Sequence, residues 1–174
     1  MSNDNTKDIH WSLLWNARLG IRYHTYRQST YERLGKLITL FTLISSSGAF
    51  AIFIKSTDEI SKYSAVLTLT AAILQLIELV FDTKARSILH SELKQKYLRL
   101  ERDLVCIDSL TLEQASPFYD QRVSIEEQEP PVYKSLMTLC HNDLVTVTFG
   151  HKHSDKIKIN AFTWMKIKLL SLSL

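Results

Sequence analysis

Two stretches of this chain hold almost nothing that water would retain: residues 37–54, LITLFTLISSSGAFAIFI, and residues 63–81, YSAVLTLTAAILQLIELVF. The first has 18 residues and no charge, and the second has 19 with a single acid, Glu78, near one end. At about 1.5 Å rise per residue, 18 helical residues span roughly 27 Å, close to the hydrocarbon thickness of a bilayer. The connecting KSTDEISK is too polar to lie in lipid. The competing assignment is a pair of core helices in a soluble bundle, and Thr39, Thr42, Ser45, Ser46 and Ser47 do make the first stretch less apolar than a simple anchor. Charge placement favours the membrane. Arg18, Arg22, Arg27, Arg33 and Lys36 precede the first stretch and Lys84, Arg86, Lys94, Lys96 and Arg99 follow the second, whereas the loop balances Lys55 and Lys62 against Asp58 and Glu59. Positive residues gather on the cytoplasmic side, so both termini are expected inside and the loop outside.

A chain of 174 residues, 45% hydrophobic and 22% charged, has room for such a hairpin and one modest soluble domain. The net charge of +3 comes mostly from the hairpin's basic flanks, which suit phospholipid head groups as well as nucleic acid. Cys106 and Cys140 both fall in the segments placed in the cytoplasm, so no disulfide is expected. The start, MSNDNTKDIHW, lacks the basic region and apolar run of a signal peptide, and the hairpin is expected to act as its own insertion signal.

Before the hairpin, residues 9–31 read as a helix in which Trp11, Trp15, Arg18, Arg22 and Tyr26 share one face. Such a face suits head-group depth, with rings at the interface and arginines on phosphate. It also suits a nucleotide, gripped by guanidinium groups and stacked on the rings. Within the first span Thr39, Thr42 and Ser46 recur at helical spacing, which marks either close helix packing or a pore wall. On the second span Thr68, Gln75, Glu78 and Asp82 form another polar stripe. Glu78 there reads as a carboxylate snorkelling to the interface or as one member of an acidic ring at an inner pore mouth.

No Pro or Gly falls between Gly48 and Pro117, so the second span is expected to continue as one helix to about residue 107. Leu89, Leu93, Tyr97, Leu100, Leu104 and Ile107 form a heptad-like seam on it, able to meet another copy or the helices that follow. A helix over 111–128 follows, with Leu112, Ala115, Val123 and Ile125 as core positions and Pro117 as an early break. Pro130 and Pro131 end one helix and open the next, whose buried face holds Val132, Leu136, Leu139, Cys140, Asp143 or Leu144, and Val147, with Gly150 as its stop. Residues 156–159, KIKI, alternate like a short strand. The last 13 residues, FTWMKIKLLSLSL, are too short for a third span and read as a membrane-surface or partner-docking segment.

Catalytic and metal chemistry finds little support. Four scattered glycines exclude a phosphate loop, and the two cysteines lack zinc spacing. His151 and His153 offer an HxH pair with no evident third ligand, and Cys140 beside His141 points about 100° away from it on a helix. The chain is therefore not expected to be an enzyme, and no cofactor is expected.

Four segments together, HWSLLWNARLGIRYHTYRQSTYERL, the serine-containing hairpin, ARSILHSELKQKYLRLERDL and RVSIEEQEPPVYKSLMTLCHNDL, resemble the SLATT family of bacterial two-transmembrane effector domains. Its most specific marks are EPP at Glu129, Pro130 and Pro131 and CHN at Cys140, His141 and Asn142, with Asp143 where many relatives have glutamate. The tail after Gly150 lies outside the family pattern. The resemblance implies a homo-oligomeric, ion-conducting pore in the bacterial inner membrane that acts in antiphage defence. It also implies control by a separate sensor such as a nucleotidyltransferase, or by its nucleotide or oligonucleotide product.

The expectation is thus an all-α integral membrane protein: an amphipathic N-terminal helix over 1–36, a hairpin over 37–81, a cytoplasmic helical domain over 82–150 and a variable tail over 151–174. Thr39, Thr42, Ser45, Ser46 and Glu78 are the candidate pore residues. Arg18, Arg22, Arg122, Glu129 and His141 are candidates for a cytoplasmic ligand site, against the plainer roles of Glu129 at the helix junction and His141 and Asn142 bonding between helices. The alternative function is an anchored adaptor whose cytoplasmic helices recruit a partner protein.

Overall fold

Five helices run in chain order through the computed structural model: α1 (Ser2–Ile54), α2 (Asp58–Phe81), α3 (Thr83–Val105), α4 (Leu112–Glu126) and α5 (Lys134–Phe149). The structure describes residues 2–54, 58–150 and 153–160, apart from the side chains of 2–5, 49, 51–54 and 58–61, and no strand occurs among the described residues. The 162–174 segment, Lys55 of the loop and His151 lie outside them. The chain divides into two compact units, Met1–Gln28 with Leu89–Leu174, and Ser29–Ile88.

In the first unit the seam of α3 does what its spacing predicts. Leu93, Tyr97, Leu100 and Leu104 are buried, Leu89 and Ile107 partly so, and they pack on Leu13, Leu14 and Ala17 of α1 together with Leu110, Ala115 and Ile125. The seam thus meets its own chain, mainly α1. α1 and α3 come very close at Gly20, where a Cβ would meet the Tyr97 ring at 2.8 Å. Trp11 and Trp15, expected at head-group depth or against a nucleotide, instead pack on α5: the Trp15 ring lies 6.0 Å from Phe149 and 5.6 Å from His141, and Trp11 lies 6.2 Å from Phe149.

Thr111 caps α4 through a reciprocal capping box with Gln114, satisfying two backbone N–H groups at the helix start. Pro117 does not break this helix, correcting the expectation. It lies in the second turn, where its missing N–H frees only the Glu113 carbonyl, and Glu113 is exposed to water. Ala115 and Ile125 are core residues as expected, whereas Leu112 and Val123 face outward. α5 buries Leu136, Cys140, Leu144 and Val145 but exposes Val132 and Val147, and it ends at Gly150 with φ 93. α5 opens at Lys134, three residues beyond the proline pair.

The second unit has few buried side chains. Ile38, Ser45, Ala71, Thr83 and Ser87 are buried, and apolar residues from Leu37 to Phe50 on α1 and from Val66 to Phe81 on α2 are exposed. A helical stretch taken across Asp82, Lys62–Val105, is long and apolar enough to cross a membrane, and only 6% of its most apolar window is buried. The first expected span is helical throughout 37–54 and continuous with the helix before it, so the N-terminal helix and the span are one element. α1 meets α2 at Gly48, where a Cβ would lie 3.4 Å from Leu67, and meets α3 at Gly35, where a Cβ would lie 2.6 Å from Thr83 Oγ1.

The uninterrupted second helix is corrected at Asp82. This residue has φ 42, separates α2 from α3, and accepts a hydrogen bond at Oδ1 from the Ala85 N–H at 3.0 Å. Aspartate tolerates the left-handed region better than most residues and is a good helix cap, so one residue both breaks α2 and starts α3.

Candidate functional site

α1 brings His24, α3 brings His90 and Tyr97, and the segment between α4 and α5 brings Glu129 to one buried point in the first unit. His24 and His90 are 0% and 1% exposed. Their Nδ1 atoms lie 2.9 Å apart, His24 Nε2 lies 3.0 Å from Glu129 Oε1, and Tyr97 OH donates to the same oxygen at 2.7 Å. The His24 ring stacks on Tyr97 at 5.6 Å and 21°, and Tyr23 meets it edge-on at 5.3 Å. Tyr23 OH in turn accepts the Tyr133 N–H at 3.0 Å, tying α1 to the start of α5.

The electrostatics agree with a charged carboxylate. Burial works to raise the Glu129 pKa, but hydrogen bonds from His24 and Tyr97 and the nearby imidazoles outweigh it and hold the carboxyl below its usual value. Burial, then the bond to Glu129 and its negative charge, push the Tyr97 phenol well above the ordinary range. Beside the network is a cavity of 390 Å³, lined among others by Gly20, Tyr23, His24, Tyr97, Glu126 and Glu129. Two carboxylates on its wall make it a poor host for a phosphate.

The five proposed ligand residues do not converge. Glu129 alone lines the cavity, and it works as a hydrogen-bond hub. Arg18 pairs with Glu101 at 2.7 Å, and Arg122 lies 2.9 Å from Glu126 one turn away. Arg22 lies near Tyr26 and Cys140, and Tyr26 OH donates to Asp143 at 2.8 Å. Burial and the Asp143 charge push the Cys140 thiol up to about 12, which leaves it an inert core group.

His141 and Asn142 turn to the tail and do not bond between helices. Asn142 Oδ1 accepts the Ile157 N–H at 2.9 Å and its Nδ2 donates to the Ile157 carbonyl at 2.8 Å, while His141 Nε2 lies 3.2 Å from the Asp155 carbonyl. Residues 156–159 form no strand among the described residues, and both main-chain groups of Ile157 are held by this amide.

In the second unit Thr39 and Thr42 donate their hydroxyls to the Gly35 and Ile38 carbonyls one turn back, at 2.9 and 2.8 Å. Thr39 and Ser46 are exposed, Thr42 is half-buried and Ser45 is buried. Glu78 accepts from Thr83 OH at 2.6 Å, and its buried Oε2 has no hydrogen-bond partner among the described residues. It lines a second cavity, of 650 Å³, with Lys36, Thr39, Leu40, Leu43 and Lys84.

Sequence reasoning missed His24, His90 and Tyr97 as a group. A signal existed, since His90 and Tyr97 stand seven residues apart on the seam and His24 one turn from Gly20, but nothing in the spacing pairs residues 66 apart. No family model, characterised protein or solved structure matches this chain.

Proposed function

We propose that this protein is a membrane effector of the SLATT type, in which α1 and α2 insert as a hairpin and several copies form a regulated ion-conducting pore in the bacterial inner membrane. One observation carries the reading: the second unit leaves its long apolar side chains outside. Leu79 and Val80 are 77% and 75% exposed, and Leu69, Leu76 and Ile44 each about 60% exposed. Monomeric proteins in water do not sustain such a continuous apolar surface, whereas a bilayer covers it at no cost.

In a ring of such hairpins, the exposed Thr39 and Ser46, with Thr42 beside them, are the residues available to line a lumen. Ser45 lets two helices approach and Glu78 stands at the inner mouth. The first unit, cytoplasmic by its charge flanks, receives the control signal. Its cavity wall is acidic, which favours a partner protein, such as a sensor nucleotidyltransferase, over an anionic nucleotide at that cavity. Depolarisation, growth arrest or death of an infected cell would follow opening.

The test is the membrane potential of bacteria after brief induction, read with a potential-sensitive dye. Wild type should depolarise the cells, and the double variant Thr39→Leu/Ser46→Leu should not, while still reaching the membrane and assembling. Equal depolarisation by both would remove these hydroxyls from the conduction path. A protein that recovers function after its hairpin is exchanged for an unrelated one would instead be an adaptor, a reading favoured by the first unit's having its own core and cavity.

A further inference from the structure

We propose that the His24–His90 pair is a proton-limited latch, which ties α1 and α3 to the segment around Glu129 and is released by mild acidification. Two Nδ1 atoms at 2.9 Å share one hydrogen bond, and such a bond holds exactly one proton, since two would face each other and none would leave two lone pairs opposed. His24 Nε2 faces the Glu129 carboxylate, an acceptor only, so it carries a proton. The neutral pair therefore has His24 protonated at Nε2 and His90 protonated at Nδ1. His90 Nε2 holds at most one proton, so the bridged pair holds three at most. A fourth proton has no place while the bridge exists. Two separated rings, by contrast, hold four.

From α1, Tyr23 meets both rings, at 5.3 and 6.5 Å. From α3, Tyr97 stacks on His24, and Lys94, one turn beyond His90, donates to Gln28 at 2.6 Å and adds a like charge that discourages a second cation. From the segment before α5, Glu129 contacts His24 directly. From α4, Arg122 and Glu126 act on Tyr97 with opposite signs. From α5, Cys140 packs against Tyr23 as a neutral thiol. Histidine is the side chain whose ordinary titration falls between pH 5 and 8.

The sign follows by linkage. The opened state can bind one more proton than the latched state, so the equilibrium shifts toward opening as pH falls below the ordinary histidine value. Each pH unit below about 6.5 should raise the open population up to about tenfold. Opening would free the Glu129 segment and enlarge the adjoining cavity, exposing to a partner a surface that is closed at neutral pH. This inference does not depend on the membrane reading, since every group in it lies in the first unit.

The experiment uses the full chain in detergent micelles with 15N-labelled histidine. At pH 7.5 a nitrogen–nitrogen coupling should be seen across the bridge. Between pH 7.5 and 5 it should vanish, while amide exchange of residues 126–137, corrected for intrinsic chemistry, rises with the slope given above. His90→Asn should keep the segment protected at pH 5, because an asparagine amide can turn its oxygen to accept from a fully protonated His24. Absence of the coupling at pH 7.5, both rings charged at pH 5 with exchange unchanged, or the same acid opening in His90→Asn would each overturn the proposal. Should that variant fail to fold, the wild-type coupling and exchange decide alone.

Discussion

The two units of this chain solve the problem of a helix's apolar face in opposite ways. The first turns Leu93, Leu100 and Leu104 inward onto Leu13 and Ala17, and also closes polar groups inside, where each must find a partner. The second turns its leucines and isoleucines outward and keeps small or hydroxyl-bearing residues, Ser45, Ala71, Thr83 and Ser87, where helices touch. On the membrane reading proposed above, the surrounding medium, not helix propensity, separates them. Water drives the first to bury; the second has nothing to gain from burial if its solvent is lipid.

The contrast can be broken most forcefully at Leu100, which is fully buried. Leu100→Ala should cost about 2–5 kcal/mol, and hydrogen exchange should show the loss in the first unit whether the protein is in micelles or bilayers. Ile73, about half exposed near the middle of its span, should behave the other way. Ile73→Arg should cost about 2.5–3.5 kcal/mol of membrane insertion, read by extraction from vesicles at alkaline pH, and do little to the melting of the first unit. Unaltered insertion would mean that this face does not meet lipid.

Glu129 sharpens the comparison by adding pH. Its folded pKa is depressed, so its stabilising contribution is present above the ordinary carboxylate value and is lost as pH falls through the lowered one. Glu129→Gln should lower stability at pH 7 by about 1.5–3 kcal/mol, the usual worth of hydrogen bonds to a charged group, and flatten the acid limb of the denaturant midpoint below pH 4.5. The smallest effect belongs to Thr111→Ala, which removes the α4 cap and should cost about 1 kcal/mol, seen as faster exchange of the first turn of that helix.

Periodicity was enough to place the α3 seam, because Leu93, Tyr97, Leu100 and Leu104 need only one helix and one apolar partner to be buried. The stop at Gly150 was legible because it acts within a few residues, whereas Thr111 was placed inside its helix and its cap was not singled out. Asp82 was not legible, although its residue type suits the role: no Gly or Pro accompanies it, and its left-handed φ of 42 shows only in the folded backbone. Pro117 misled because a proline's cost depends on whether water reaches the orphaned carbonyl, which a sequence does not display. At the candidate site Glu129 was visible as part of EPP, but its partners come from two distant helices, α1 and α3, and burial decides whether a histidine is a surface base or a bridge. Arg18 and Arg122, singled out for their charge, were already matched by acids: Glu126 stands one turn from Arg122 and was readable from spacing, whereas Glu101, 83 residues from Arg18, was not.

The Asn142 clasp has a consequence for how the tail tolerates change. Its amide grips only the main-chain N–H and C=O of Ile157, so the contact is indifferent to which side chain sits there. The anchored segment can therefore alter its outward lettering, charge and bulk while staying seated on α5. Proline is the exception: Ile157→Pro deletes the N–H that Asn142 accepts, and half of the grip goes with it.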